Sequence, residues 1–532
     1  MRKAGILMPI SSLPSPYGIG TLGAAAREFA DFLVQAGQSY WQILPVGPTS
    51  YGDSPYQAFS SYAGNPYFID LDDLAADGLL LPDEYRDLDW GDNPEKVDYG
   101  LLYRNRYPVL RRAVDRLLAG DLAEYRRFCR EQEGWLGDYA LFMALKFHYN
   151  GKPWDSWPDG VRLRQSAALD RAGAGLAEDV TFWKGVQFLF FRQWRALKKY
   201  VNDLGISIIG DLPIYVANDS VDVWADPQQF QMDKDCRPIE VSGCPPDGFT
   251  EDGQLWGNHL FDWEKMKKDG YSWWLRRVEH QFGFYDVLRL DHFRGFDEYY
   301  AIPAGAKTAR KGRWRPGPGI DFFRALEKKL GKKEIIAEDL GFLTDSVRQL
   351  LKETGFPGMK VLEFAFDSRD TGSDYLPHCY DRHCVVYAGT HDNDTIMGWM
   401  ENAPKEGVAY AKEYLRLTEA EGWHWGMMRS AWASPADLAM IQLQDVLGLG
   451  SETRMNTPST TGKNWLWRVL PGRCTQKLAE KLRHDMKVYQ RVTPPLPGEE
   501  EPGEEEPKEK GPDGKALKEK EPKDKKAAAK EP

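Results

Sequence analysis

Val287-Leu288-Arg289-Leu290-Asp291-His292-Phe293-Arg294-Gly295 begins as a buried strand and ends as a cluster of ionisable groups. The opening residues are mostly aliphatic. The segment then delivers a carboxylate, an imidazole and a pair of guanidinium groups, and stops at glycine. A strand that is apolar inside a fold and ionic where it ends marks the catalytic edge of a barrel or an open α/β sheet. Taken alone, the segment also admits the plainer reading of an Asp–Arg salt bridge closing a strand. The rest of the chain has to decide between the two.

Working outward, strand patterns recur at residues 5–12, 40–46, 206–215, 287–291, 334–341, 359–364, 385–393 and 439–443. A helical pattern at 22–36 separates the first two, which gives the strand–helix–strand unit of a parallel sheet. Between the second and third strands the period changes to helical, at 103–119, 122–133, 139–149 and 182–200. An open doubly wound sheet accommodates five or six of the eight strands. The full set predicts an α/β fold, a (β/α)8 TIM barrel with helical and loop insertions and no separate C-terminal β-domain. The expected catalytic barrel spans 1–492, with a mainly helical insertion at about 71–200 and a loop excursion covering the active site at about 218–261. The long irregular stretch at 47–57 suits a loop that lines a site.

The chain has 532 residues and is 42 % hydrophobic, enough to bury a large core. A formal net charge of -11, without a long basic stripe before the extreme C-terminus, argues against a nucleic-acid partner. The 19 Trp and 25 Tyr include many in Gly/Pro-rich loops, where flat rings suit the stacking of sugars. The six cysteines form no CxxC pair, which suits a reducing compartment. The apolar run after Met1 is too short for a signal peptide, and no segment is long and apolar enough to span a membrane. A cytoplasmic protein without a membrane partner is expected. Residues 493–532 alternate Glu, Lys and Pro and carry too little apolar surface to order themselves.

Three strand ends carry the chemistry: Asp291, Glu338 and Asp392. In a barrel they converge over one axis. Cleaving a glycosidic bond needs such a group, because one carboxyl must be protonated and another ionised. Neighbouring carboxylates drive their own pKa values apart and so supply both states. Arg289, two residues before Asp291, points to the same side of the strand and would hold it ionised. His391 is placed to donate to sugar hydroxyls. A divalent metal held by Asp211, Asp291, Glu338, His391 and Asp392 is the competing chemistry, but Arg289 would set a positive charge beside it. Neither a phosphate-binding loop nor a dinucleotide fingerprint is present, and no nucleophile elbow anchors a serine or cysteine triad. No cofactor and no metal are expected.

The segments Arg289-Leu290-Asp291-His292-Phe293-Arg294-Gly295, Ile336-Ala337-Glu338-Asp339-Leu340-Gly341 and Gly389-Thr390-His391-Asp392-Asn393 resemble the active-site motifs of the amylomaltase, or 4-α-glucanotransferase, family. That is glycoside hydrolase family 77. The likeness extends from Ile10-Ser11-Ser12-Leu13 to about Tyr489. It includes Gly52-Asp53-Ser54-Pro55-Tyr56-Gln57, Gly210-Asp211-Leu212-Pro213, the loop from Gly243 to Asn258, and Asn456-Thr457-Pro458-Ser459-Thr460.

The resemblance implies a retaining double displacement on α-1,4-glucans. Asp291 would be the nucleophile, Glu338 the acid and then the base, and Asp392 a group that binds and distorts the sugar. Arg289 and His391 would complete the innermost shell, with Asp211 supporting sugar binding. Tyr56 would stack on the donor side and Trp256 would cover the acceptor side. Maltooligosaccharides and glucose are the implied substrates. A hydrolytic α-amylase-like glucosidase and a non-catalytic glucan-binding protein are the alternatives.

Overall fold

A computed structural model describes residues 2–492, apart from 51, 247–250, 342 and 367–372. The charged tail at 493–532 and the tip of the 218–261 excursion at 247–250 therefore lie outside the described residues. Among those described, twelve strands follow one another: β1 (Lys3–Leu7), β2 (Tyr40–Gln42), β3 (Ser207–Leu212), β4 (Glu240–Cys244), β5 (Gln254–His259), β6 (Val287–Leu290), β7 (Glu298–Pro303), β8 (Arg313–Pro316), β9 (Ile335–Ala337), β10 (Gly358–Val361), β11 (Cys384–Tyr387) and β12 (Leu438–Gln442).

Eight of them make one parallel sheet in the order β10-β11-β12-β1-β2-β3-β6-β9. The first and last strands of the chain pair in register from Lys3↔Leu438 to Leu7↔Gln442. The free edges, β9 and β10, approach each other. Ala337 N–H donates to Pro357 O at 3.0 Å, and Met359 N–H donates to the Asp339 carboxylate at 2.6 Å. Proline at 357 has no N–H to extend that ladder. The result is a nearly closed parallel barrel.

The barrel interior explains why its strands read as they do. Ile209, Val287, Ile336, Met359, Val385, Tyr387, Leu438 and Met440 form one buried cluster inside it. Successive side chains on a strand face opposite sides, so i+2 positions share this interior. Continuing in steps of two, Ile209 leads to Asp211, Val287 to Arg289 and Asp291, and Ile336 to Glu338. The stripe that fills the barrel thus turns ionic at its C-terminal end.

Between β2 and β3 the chain is helical, with helices at Leu71–Ala76, Tyr99–Ala119, Ala123–Glu131, Glu133–His148, Asp159–Arg162, Ser166–Gly175 and Ala177–Asp203. Asp98 caps the second of these, its side chain accepting from Leu101 N–H. Trp183, Phe188, Phe190 and Trp194 of the last helix are buried.

The stretch at 218–261 departs from the expected loop excursion, because it contains β4 and β5. These join β7 and β8 in an antiparallel sheet of order β5-β4-β7-β8. Its apolar face is small, formed by Val241, Tyr300, Ile302 and Ala309. Glycines at 243 and 257 and an irregular register hide the alternation that would reveal a strand. Among the described residues no sheet forms after β12, and no helix is long and apolar enough to cross a membrane.

Candidate active site

Arg289 is the hub of the barrel's C-terminal mouth. One guanidinium nitrogen, Nη1, donates to both oxygens of Asp211, at 2.8 and 2.7 Å, and to Asp291 Oδ1 at 3.0 Å. Its Nε lies 3.4 Å from the Met359 sulfur. The paired strands β3 and β6 set this geometry, since Asp211 stands directly opposite Arg289 in the ladder. Burial alone would weaken the Arg289 charge, but the carboxylates of Asp211 and Asp291 outweigh it and keep the guanidinium firmly protonated.

Asp291 follows β6 and keeps 29 % of its side chain exposed, so it faces the cleft. The next residue, His292, has a left-handed backbone with φ 53°. Such a conformation costs a non-glycine residue about 1–2 kcal/mol and concentrates at functional sites. Here it turns the His292 N–H onto Glu338 Oε2 at 2.7 Å. The other oxygen, Oε1, accepts from Leu340 N–H at 2.9 Å. Two backbone donors therefore fix the Glu338 carboxyl beside the peptide that carries Asp291.

Burial raises both groups, Asp291 to about 6 and Glu338 to about 7. Arg289 opposes the rise at each. The charges of Asp211 and Asp392 add to it at Asp291, and Asp291 itself adds to it at Glu338. The expectation that Arg289 holds Asp291 ionised is thus modified: its closer partner is Asp211, and burial outweighs its effect on Asp291. The order of the pair still makes Asp291 the stronger acid.

Asp392 behaves in the opposite way. Burial would raise it, but the His391 imidazole at 3.4 Å and the Asn456 amide at 2.6 Å outweigh this and hold its carboxyl well below the usual range. His391 is pulled up: burial lowers it, and the Asp392 charge more than compensates. The Asp392 side chain is 46 % exposed, so an ionised carboxylate faces the cleft.

The remaining expected residues fall on the same rim. Tyr56 donates its hydroxyl proton to Asp211 Oδ2 at 2.7 Å, and its ring stacks on His391 at 5.1 Å and 20°. Asp211 is completely buried, with both oxygens taken by Arg289 and Tyr56. It therefore orients those two side chains. Trp256 meets the His292 ring edge-on at 4.8 Å and 90°.

A family model described as 4-alpha-glucanotransferase, glycoside hydrolase family 77, matches residues 8–473. This chain belongs to that family. The 4-alpha-glucanotransferase of Clostridium butyricum is 49 % identical over 486 residues, covering 91 % of this chain and 100 % of that one. That of Thermus thermophilus is 45 % identical over 502 residues, covering 92 % and 99 %. Among solved structures, amylomaltase from Streptococcus agalactiae in complex with acarbose aligns with a TM-score of 0.91 and 41 % identity, over 93 % of this chain and 100 % of that one.

In this family-77 chain, three contributors to the site went unassigned by sequence reasoning. Asn456 donates to Asp392 Oδ1, and Arg454 Nη2 donates to the Asp392 backbone oxygen at 2.6 Å. Trp465 stands 5.8 Å from Tyr56 and 6.1 Å from His391. All three come from a loop after β12. The Asn456-Thr457-Pro458 motif was visible as a family resemblance, but nothing local to it gives its partner.

The paired carboxyls set a pH expectation. Rising pH first ionises Asp291 and then removes the Glu338 proton. Transfer kcat/KM should therefore be bell-shaped, with limbs near pH 6 and pH 7, set by Asp291 at about 6 and Glu338 at about 7. Both apparent values belong to the pair. Rates with maltotriose across about pH 5 to 9 check this, and a flat profile over that range contradicts it.

Proposed function

We propose that the chain is a retaining 4-α-glucanotransferase that moves a segment of an α-1,4-glucan to the 4-hydroxyl of another glucan or of glucose. The observation that carries this reading is the fixing of Glu338 to the His292 N–H, one residue after Asp291. An acid held beside a nucleophile suits a double displacement.

Asp291 attacks the anomeric carbon, and the bond from that carbon to the departing glucan oxygen breaks. Glu338 gives its proton to that oxygen. An acceptor then enters, Glu338 takes the proton of its 4-hydroxyl, and the acceptor oxygen displaces Asp291. Two inversions return the α configuration. Asp392, ionised and open to the cleft, binds sugar hydroxyls and favours a distorted ring. Tyr56 offers its ring on the donor side, oriented by Asp211, and His391 steadies Asp392. No cofactor takes part.

Transfer wins over hydrolysis when an acceptor sugar is held and water kept out. Trp256, against His292, is the residue we assign to that task. We further propose a closed (β/α)8 catalytic barrel over 1–492, with its insertion at 71–200 serving the cleft. Six cysteines without a CxxC pair suit a cytoplasmic location.

Maltotriose alone should yield glucose together with longer oligomers. Maltose and glucose without elongation would instead mark a hydrolytic glucosidase. Trp256→Ala should raise the hydrolysed share about three- to tenfold, the scale of a lost aromatic contact. An unchanged share would remove Trp256 from the acceptor side.

A further inference from the structure

Trp256 sits where the β4–β5 ladder breaks. Val241 pairs with His259 and Gly243 with Leu255, so two steps along β4 oppose four along β5. The surplus is a bulge carrying Trp256, Gly257 and Asn258. Gly257 has φ 80°, a left-handed conformation that favours glycine, and a Cβ there would meet nothing within 4 Å. Backbone conformation, not space, calls for glycine at this point. Bulges re-aim side chains and release backbone groups from the ladder, and those groups need other partners.

One side chain supplies two of them. Asn218, in the segment after β3, donates from Nδ2 to Gly257 O at 2.5 Å and accepts at Oδ1 from His259 N–H at 2.9 Å. His259 Nδ1 also lies 2.6 Å from that oxygen. Burial lowers His259 to about 4, so its ring is neutral and the Nδ1 proton points at Asn218. Asn258 is tied separately, its N–H donating to Ser242 Oγ at 3.1 Å and its amide to Val216 O at 2.9 Å.

Asn218 is itself held from the helical region. Its backbone oxygen accepts from Trp154 Nε1 at 2.7 Å. The adjacent Asp219 pairs with the buried Lys146 ammonium at 2.6 Å and accepts from Trp154 N–H at 3.1 Å. A continuous set of contacts thus runs from the helices between β2 and β3, through Asn218, to the residue after Trp256.

We propose that Asn218 is a positioning residue for the transfer reaction: its amide clamps the β5 bulge and so holds Trp256 against His292 on the acceptor side. This rests on the assignment of Trp256 above. It requires an amide, because aspartate keeps the acceptor for His259 N–H but loses the donor to Gly257 O, and alanine loses both.

The test compares wild type, Asn218→Ala, Asn218→Asp and Trp256→Ala, with α-maltosyl fluoride as donor and glucose as acceptor. Pre-steady-state fluoride release reports the first displacement. The ratio of maltosyl transfer to hydrolysis, against glucose concentration, reports the acceptor side. In both Asn218 variants the fluoride burst should stay within about twofold of wild type. The glucose concentration giving equal transfer and hydrolysis should rise about fivefold or more, as expected for losing one or two hydrogen bonds. Trp256→Ala should shift that ratio in the same direction.

If Trp256→Ala shifts the ratio and neither Asn218 variant does, the clamp is refuted and the Trp256 assignment stands. If Trp256→Ala leaves the ratio unchanged, that assignment fails and the clamp with it. A loss of burst rate and acceptor use in equal proportion, with a lower Tm in both Asn218 variants, marks a merely structural contact and also overturns the proposal.

Discussion

Asp291→Asn should lower transfer from maltotriose on the order of 10⁴-fold, about 5 kcal/mol of transition-state stabilisation. The amide keeps the shape of the side chain and an oxygen to accept from Arg289 Nη1, which lies 3.0 Å away in the native protein. What it lacks is the charge and nucleophilicity needed to form a bond to the anomeric carbon. The loss should appear in kcat, with KM changed little, because the contacts that hold the glucan remain. Steady-state kinetics with maltotriose measure it. A loss smaller than about tenfold would remove Asp291 from the reacting atoms.

Glu338→Gln should cost about 10²- to 10⁴-fold with maltotriose, the range for losing a general acid and base. The two displacements should then separate. A glycosyl fluoride donor leaves without a proton, so the first displacement should recover much of its rate. The second should stay slow with a sugar acceptor, whose hydroxyl needs a base, and recover with azide, which does not. Equal losses for maltotriose and fluoride donors would contradict this. The variant should also be less stable. Both Glu338 oxygens accept backbone N–H groups, from His292 and Leu340. A glutamine presents its NH2 to one of those donors, at about 1–3 kcal/mol for the group left unpaired.

The part of the site that follows from strand period was legible in the sequence. Val287, Arg289 and Asp291 alternate with outward residues, so one apolar position fixes which side the charged ones face. Ile336 and Glu338 repeat the same step. The nearly closed barrel then brings these ends together, because all eight strands lie parallel to their neighbours in one sheet and so end on the same side.

What was not legible depends on contacts made far away in the chain. Asp211 could be placed at a strand end, but not assigned to Arg289 and Tyr56, whose demands leave it no free oxygen. Asn456 meets Asp392 across 64 positions, through a loop whose path no local pattern sets. The left-handed turn at His292 is tied to a bond with Glu338, 46 positions further along the chain, which no local pattern announces. β4 and β5 were hidden for a different reason. Their bulge and glycines break the two-residue period on which strand reading relies.

The most direct test is intact-protein and peptide mass spectrometry of Glu338→Gln incubated with α-maltosyl fluoride and no acceptor. The double displacement predicts one covalent maltosyl group per chain, located on Asp291, and its loss on adding azide or a glucan acceptor. Fluoride release without any adduct, or an adduct on another residue, would contradict it.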